Sequence, residues 1–328
     1  MEDLNQAIRL NPVDTFAIAS RGETYRLQKQ YELALADFNR AIELDPDYTF
    51  AIALRGHTYR LQEQYELALA DFNRAIELDP DYTFAIALRG HTYRLQEQYE
   101  LALADFNRAI ELDPDYTFAI ALRGHTYRLQ EQYELALADF NRAIELDPDY
   151  TFAIALRGHT YRLQEQYELA LADFNRAIEL DPDYTFAIAR RGKTYLLQGN
   201  NNAALADCHR AVSLAPDNDW YCYLRGLAYQ TLGQASLARG DFNAAIDLAA
   251  ADHQKNPQNF RNTFNLALYH VASDAFDRAK ELYSDGLKRA APRGLIMEAI
   301  EDLEDFLRIF PNHQQARRFC DGLKRKLQ

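Results

Sequence analysis

DPDYTFAIALRGHTYRLQEQYELALADFNRAIEL, residues 45–78, is written four times in succession without a substitution, beginning at Asp45, Asp79, Asp113 and Asp147. Taken in a shifted frame, residues 49–184 are likewise four identical units. A fixed period of 34 residues is the signature of a solenoid. Each repeat then touches only its neighbours and the core grows lengthwise, so the usual ~150 residues per domain does not bound this 328-residue chain.

Within one unit the elements read directly. Pro46 cannot continue a preceding helix, and Asp45 and Asp47 suit the start of the next one. The spacing predicts a first helix over Tyr48–Leu61, with Ile52, Gly56 and Tyr59 along one face. Gln62-Glu63-Gln64 then turns the chain into a second helix over Tyr65–Leu78, with Ala68, Phe72 and Ala75 on one side. Gly56, Ala68 and Ala75 let two helices approach closely, and Tyr59 and Phe72 fill the space between them. Arg55 stands where an apolar residue would be expected, opposite Asp71. The two are expected to form an ion pair joining the helices, repeated as Arg89–Asp105, Arg123–Asp139 and Arg157–Asp173.

The pattern Ile52…Gly56-x-x-Tyr59…Ala68-x-x-x-Phe72-x-x-Ala75…Pro80 resembles the tetratricopeptide repeat. It departs from that family at Ile52, where a large aromatic is usual, and at Arg55, where leucine is usual. The resemblance implies an all-α fold, a right-handed superhelix of about eight antiparallel helix pairs with C-terminal capping helices. It also implies a concave groove lined by the first helices, which in the family commonly holds an extended peptide or a partner's helix.

Taken in order, residues 1–14 match the second helix of a truncated repeat. Because the chain opens inside a repeat, it reads as a piece of a longer protein. Residues 15–218 hold six repeats, and 219–291 two degenerate ones, the first with its second helix extended by about two turns over 249–256. Residues 292–328 read as capping helices, with Ile296–Ile309 a helix of the second type. All of this is expected to form one solenoid domain.

Composition excludes several classes of function. The formal net charge of −13 makes a nucleic-acid backbone a poor partner, and no apolar run approaches the ~18 residues that would span a membrane. Cys208, Cys222 and Cys320 have no metal-like spacing and read as reduced thiols in a cytoplasmic protein. No nucleophile has a neighbouring base and no glycine-rich phosphate loop is present, so no enzyme and no cofactor is expected. The repeated histidines cannot share a metal ion. Neighbouring helices pack on the order of 10 Å apart, whereas zinc holds its nitrogens at ~2.0–2.1 Å.

Binding residues follow from the resemblance, which draws the groove wall from Phe50, Ala53, Leu54, His57, Arg60 and Leu61 of each unit. Helical arithmetic agrees that Phe50, Leu54, His57 and Leu61 share one stripe, with Arg60 flanking it. Repetition gives ladders of Phe50, Phe84, Phe118 and Phe152, of His57, His91, His125 and His159, and of Arg60, Arg94, Arg128 and Arg162. Arg190 and Lys193 are added in the diverged copy. Such a wall, cationic and aromatic inside an acidic exterior, suits a peptide with carboxylates or apolar anchors. The expected function is a protein-interaction scaffold. The alternatives are a sensor or regulatory arm of a larger bacterial signalling or defence-type protein, and a structural solenoid that self-associates through its open N-terminal repeat.

Overall fold

The computed structural model describes residues 1–327. Among them the chain is all-α, nineteen helices in succession that pack as consecutive pairs, the architecture of a repeat solenoid. Contacts divide the chain into two compact units, Met1–Pro148 and Asp149–Gln328.

Unit 1 begins with a single helix, α1 (Glu2–Leu10). Four pairs follow: α2 (Thr15–Leu27) with α3 (Tyr31–Leu44), α4 (Thr49–Leu61) with α5 (Tyr65–Leu78), α6 (Thr83–Leu95) with α7 (Tyr99–Leu112), and α8 (Thr117–Leu129) with α9 (Tyr133–Leu146). The elements start and stop where the local chemistry dictates. Asp45 leaves the helix in an extended conformation, and its Oδ1 accepts from the Asp47 N–H at 3.2 Å, an Asx turn that holds the loop. Arg74 donates to the Pro46 carbonyl from the next second helix and fixes the same loop. Inside each pair the turn demands a left-handed residue, and Lys29, Glu63, Glu97 and Glu131 supply it at φ near +60°.

Ala51, Ile52, Ala68, Phe72 and Ala75 are completely buried between the helices. Burying a side chain such as Phe72 contributes about 1.5–3 kcal/mol. Close approach is what requires Gly56. A Cβ there would sit 3.0 Å from both Asp71 Cβ and Phe72 Cε1.

The Arg–Asp clip forms in all four pairs of unit 1. In the second, Arg55 Nε and Nη2 donate to the two oxygens of Asp71 at 2.8 and 2.7 Å, a bidentate fork. Its Nη1 reaches back to Asn39 Oδ1 at 2.8 Å, so one guanidinium ties three helices together. Arg21, with Asp37 and Asn5, repeats the arrangement and ties α1 to the first full pair.

Unit 2 contains α10 (Thr151–Leu163) with α11 (Tyr167–Leu180), α12 (Thr185–Leu197) with α13 (Asn201–Leu214), α14 (Asp219–Thr231) with α15 (Ala235–Lys255), and α16 (Phe260–Ala272) with α17 (Phe276–Lys288). α15 carries the extension read from sequence, at 21 residues against 14 for α13. The last two helices are α18 (Arg293–Ile309) and α19 (Gln314–Leu327).

α18 leaves the repeat pattern. The sequence reads Ile296–Ile309 as a helix of the second type, but α18 packs on α16 and α12, both first helices, and on α19. The reason is its two chemistries. Leu295, Ile296, Ala299, Ile300, Leu303 and Phe306 are buried, while its acidic side chains meet cations on the first helices, and the wall of first helices offers both kinds of surface.

Candidate partner-binding surface

In unit 1 the first helices α4, α6 and α8 bring Phe50, His57, Arg60, Phe84, His91, Arg94, Phe118, His125 and Arg128 to half-buried positions. Ala53 and Leu54, which the family resemblance places on the wall, are buried instead at 0 and 3% exposure. The phenylalanines and histidines interlock from repeat to repeat. The His57 and Phe84 rings meet edge to face at 6.2 Å, as do His91 and Phe118. Tyr48 and Tyr82 brace Phe50 and Phe84 at about 6 Å between ring centres.

This packing sets the charge of the wall. Burial, reinforced by Arg60 and Arg26, pushes His57 down to about 3, and burial beside Arg60 and Arg94 holds His91 well below the ordinary histidine range. Both are neutral at pH 7, so the positive charge here is carried by arginine. Burial lowers Arg60 to about 10, with Tyr65 partly opposing and Arg26 adding, and its Nε is buried without a protein partner. Arg26 is different because Glu23 occupies the histidine position of its repeat and pairs with it at 2.6 Å.

In unit 2 the corresponding face of the first helices is occupied. Glu298, Glu301, Asp302 and Asp305 of α18 are spaced i, i+3, i+4, i+7 and so form one stripe. Arg162 on α10 donates to Glu301 and to Asp305, each at 2.9 Å. Lys193 on α12 reaches Asp302 at 3.1 Å and Asp305 at 2.7 Å. Arg261 on α16 takes Glu298 in a fork at 2.8 and 3.0 Å. Asp305 therefore lies between two neighbouring first helices and is held from both. Beyond it, Arg308 pairs with Glu165 at 2.6 Å.

Burial and pairing compete at each charge. For Arg162 burial would lower the pKa, but Asp305 and Glu301 more than reverse this and hold it above its ordinary value. For Asp305 burial would raise the pKa, but Lys193 and Arg162 outweigh it and bring the carboxyl to about 2. Glu301 is likewise held low against burial, mainly by Arg162. Asp302 goes the other way: burial raises it, and its acidic neighbours add to the effect despite Lys193. Arg190 is half-buried over the Phe186 ring at 5.3 Å, and burial, with Arg162 nearby, lowers it. The Lys193 ammonium also lies 5.0 Å above the Trp220 ring. His159 is buried edge-on to Phe186 at 5.9 Å, and its ring nitrogen Nε2 is 3.1 Å from Arg162. Phe152 lies half-buried beside Tyr150.

Of the sequence-predicted wall, then, Arg162 and Lys193 pair with one acidic helix, while His159 lies beside Arg162 and Arg190 over Phe186. The residues that sequence reasoning passed over are Glu298, Glu301, Asp302 and Asp305. Their signal was legible as a run of four acids on one helical face, but such a stripe is usually a solvated surface.

Among the described residues no group of three or more His, Cys, Asp or Glu could hold a metal ion. A cleft between α16, α17 and α18, lined by Phe264, Leu268, Tyr283, Leu295 and Ala299, is too small for a metabolite. Cys208, Cys222 and Cys320 are free and buried, and burial raises all three thiols, which makes them poor nucleophiles.

Pairs of helices repeated at this period, with a small–aromatic seam inside each pair and a ladder of side chains on the first helices, define a helical-repeat solenoid. Tetratricopeptide repeat profiles match residues 17–48, 51–82, 85–116, 119–150 and 153–184 in one form, and 187–218 and 221–252 in another. The chain belongs to the tetratricopeptide repeat family. No curated protein matches it at significance.

Among solved structures the chain is similar to a tetratricopeptide repeat protein from Parabacteroides merdae, at 20% identity and a TM-score of 0.57, covering 71% of this chain and 93% of that one. It is also similar to the APC/C hetero-tetramer Cut9–Hcn1, at 17% identity and 0.60, covering 100% and 58%. Human IFIT1, solved as a dimer with m7Gppp-AAAA, matches at 16% and 0.61, covering 85% and 72%. These likenesses concern the fold alone.

Proposed function

We propose that this protein is a non-enzymatic interaction scaffold whose first-helix wall takes a segment of a partner protein. The observation that carries the reading is α18. A helix of the chain itself lies on that wall in unit 2, with Glu301, Asp302 and Asp305 on Arg162 and Lys193. A surface that holds one amphipathic helix by paired charges and buried apolar side chains has the chemistry to hold another.

The m7Gppp-AAAA seen with human IFIT1 does not carry over to this chain. The net charge of −13 opposes a phosphate backbone, and His57 and His91 are neutral. Three reduced, buried cysteines fit a cytoplasmic location. No helix among the described residues is long and apolar enough to cross a membrane.

The test is a pull-down from source lysate with the intact protein and with a variant carrying alanine at Phe50, Phe84, Phe118 and Phe152. Capture of a defined protein by the first and not by the second is expected. Equal capture by both, with circular dichroism unchanged, removes the wall from the explanation.

A further inference from the structure

The helix that grips α18 in unit 2 is repeated residue for residue in unit 1. TFAIALRGHTYRL forms α10 at 151–163, and the same thirteen residues form α4 at 49–61, α6 at 83–95 and α8 at 117–129. In α10, Arg162 and His159 are both buried, and Arg162 is paired with Glu301 and Asp305 of α18. In α4, α6 and α8 the corresponding arginines and histidines are only half-buried. The carboxylate seat seen in unit 2 lies between the arginine position of one repeat and the histidine position of the next, where Arg162 and Lys193 share Asp305. In unit 1 those two positions are Arg60 with His91, and Arg94 with His125.

We propose that the first-helix wall of unit 1 is a docking site for an acidic amphipathic helix of a partner protein, one that carries carboxylates at i, i+3, i+4 and i+7 as α18 does, with Arg60, Arg94 and Arg128 as its principal cationic contacts. This rests on the scaffold reading above and gives it a ligand class. The spacing is suitable. Seven residues of helix rise ~10.5 Å, close to the 8–10 Å between packed helices, so successive carboxylates on a crossing helix can meet successive first helices. On α18 Asp305 meets the successive first helices α10 and α12, and Glu298, seven residues earlier, reaches α16.

The charges are complementary as well. Arg60 has no acid among the groups that shift it, and burial disfavours its charge, whereas its copy Arg162 gains from Asp305 and Glu301. An incoming carboxylate would do for Arg60 what α18 does for Arg162. His91 assists as a neutral donor. Its Nδ1 is buried and without a protein partner, and among charges Arg60 acts on it most strongly. The apolar side of such a helix would face Phe84 and Phe118.

The probe is a labelled peptide of residues 293–309, titrated into the full chain and read by fluorescence anisotropy. Four comparisons accompany it: the peptide with Glu298→Gln, Glu301→Gln, Asp302→Asn and Asp305→Asn; the chain with Arg60→Gln, Arg94→Gln and Arg128→Gln; the same three arginines changed to lysine; and the chain with Arg162→Gln and Lys193→Gln. Circular dichroism checks the fold of each. Saturable binding is expected. It should weaken at least about tenfold with the neutral peptide or the three glutamines, as follows from losing even one charge-assisted hydrogen bond, and lysine should restore part of it.

No saturable binding overturns the proposal. So does binding that survives the three glutamines but is altered by changes at Arg162 and Lys193, because the peptide is then exchanging with α18. Tighter binding of a 5′-phosphorylated oligoadenylate at the same arginines overturns it in favour of RNA. Dimerisation of the chain that the same three changes abolish assigns the wall to a second copy and overturns the partner helix. Failure of the peptide with success of the lysate experiment leaves the scaffold reading standing and removes only this ligand class.

Discussion

The Arg–Asp clip is best tested where the repeats lose their identity, because four identical units yield indistinguishable peptides. Arg191 and Asp207 of α12 and α13 lie in a unique stretch of sequence. Arg191 donates to Asp207 at 2.7 Å through both Nε and Nη2, and to Asn175 at 2.7 Å through Nη1. The two side chains are 18 and 9% exposed. Asp207→Ala leaves the guanidinium facing a site that water enters only partly. Two hydrogen bonds to charged groups at ~1.5–3 kcal/mol each set the upper end, and discounting for residual exposure of Arg191 gives a cost of about 2–3 kcal/mol. Arg191→Leu restores the leucine usual in the family, but strands a nearly buried carboxylate at a comparable cost.

The double variant removes both charges, so it should cost clearly less than the sum of the single changes, with a coupling of at least ~1 kcal/mol. Native-state hydrogen exchange on peptides from α12 and α13 gives the local opening free energy of this repeat for all four proteins. A solenoid need not unfold in one step, which makes a single global unfolding curve less useful. Additivity within ~0.5 kcal/mol would show that the fork does not couple the two helices and would refute the reasoning.

Other outcomes follow from the same geometry. Glu63 sits at φ +61°, and the equivalent position in a later repeat is Gly199 at φ +75°, so Glu63→Gly should stabilise its repeat by up to ~1 kcal/mol, read as a raised unfolding midpoint in urea. A Cβ at Gly226 would lie 2.5 Å from Phe242 Cε1, so Gly226→Ala should lower thermal stability measurably, whereas Gly240→Ala, with open space around it, should not. Asp305 is held at about 2 by Lys193 and Arg162 against burial, from an ordinary value of 3.8. Its contribution to seating α18, about 2 kcal/mol, is present above pH ~4 and lost as pH falls through 2. Glu301 acts in the same sense, and Asp302, whose carboxyl is raised, opposes both. Fluorescence of Trp220, the only tryptophan, should report this release, and Asp305→Asn should remove that acid transition. His57 and His91 are depressed, so their stabilising effect is complete above pH 6.5 and declines as pH falls below it. Replacing both with glutamine should flatten the pH dependence of unfolding between 6.5 and about 3.

The sequence by itself determined everything that depends on neighbours within about one repeat. The 34-residue period set the helix pairs, Gly56 and Phe72 set their seam, and Arg55 with Asp71, sixteen residues apart, marked the clip. What only the tertiary structure decided is the state of the wall. Residues 49–61 and 151–163 are the same thirteen amino acids, yet Arg60 is half-buried with its pKa lowered, and Arg162 is buried with its pKa raised. The difference is made by Glu301 and Asp305, which lie 139 and 143 residues from Arg162 along the chain. No periodicity links residues so far apart. A stripe of acids on α18 is equally consistent with solvent or with a cationic partner, and only packing its apolar side against the first helices of unit 2 settles which of the two it meets.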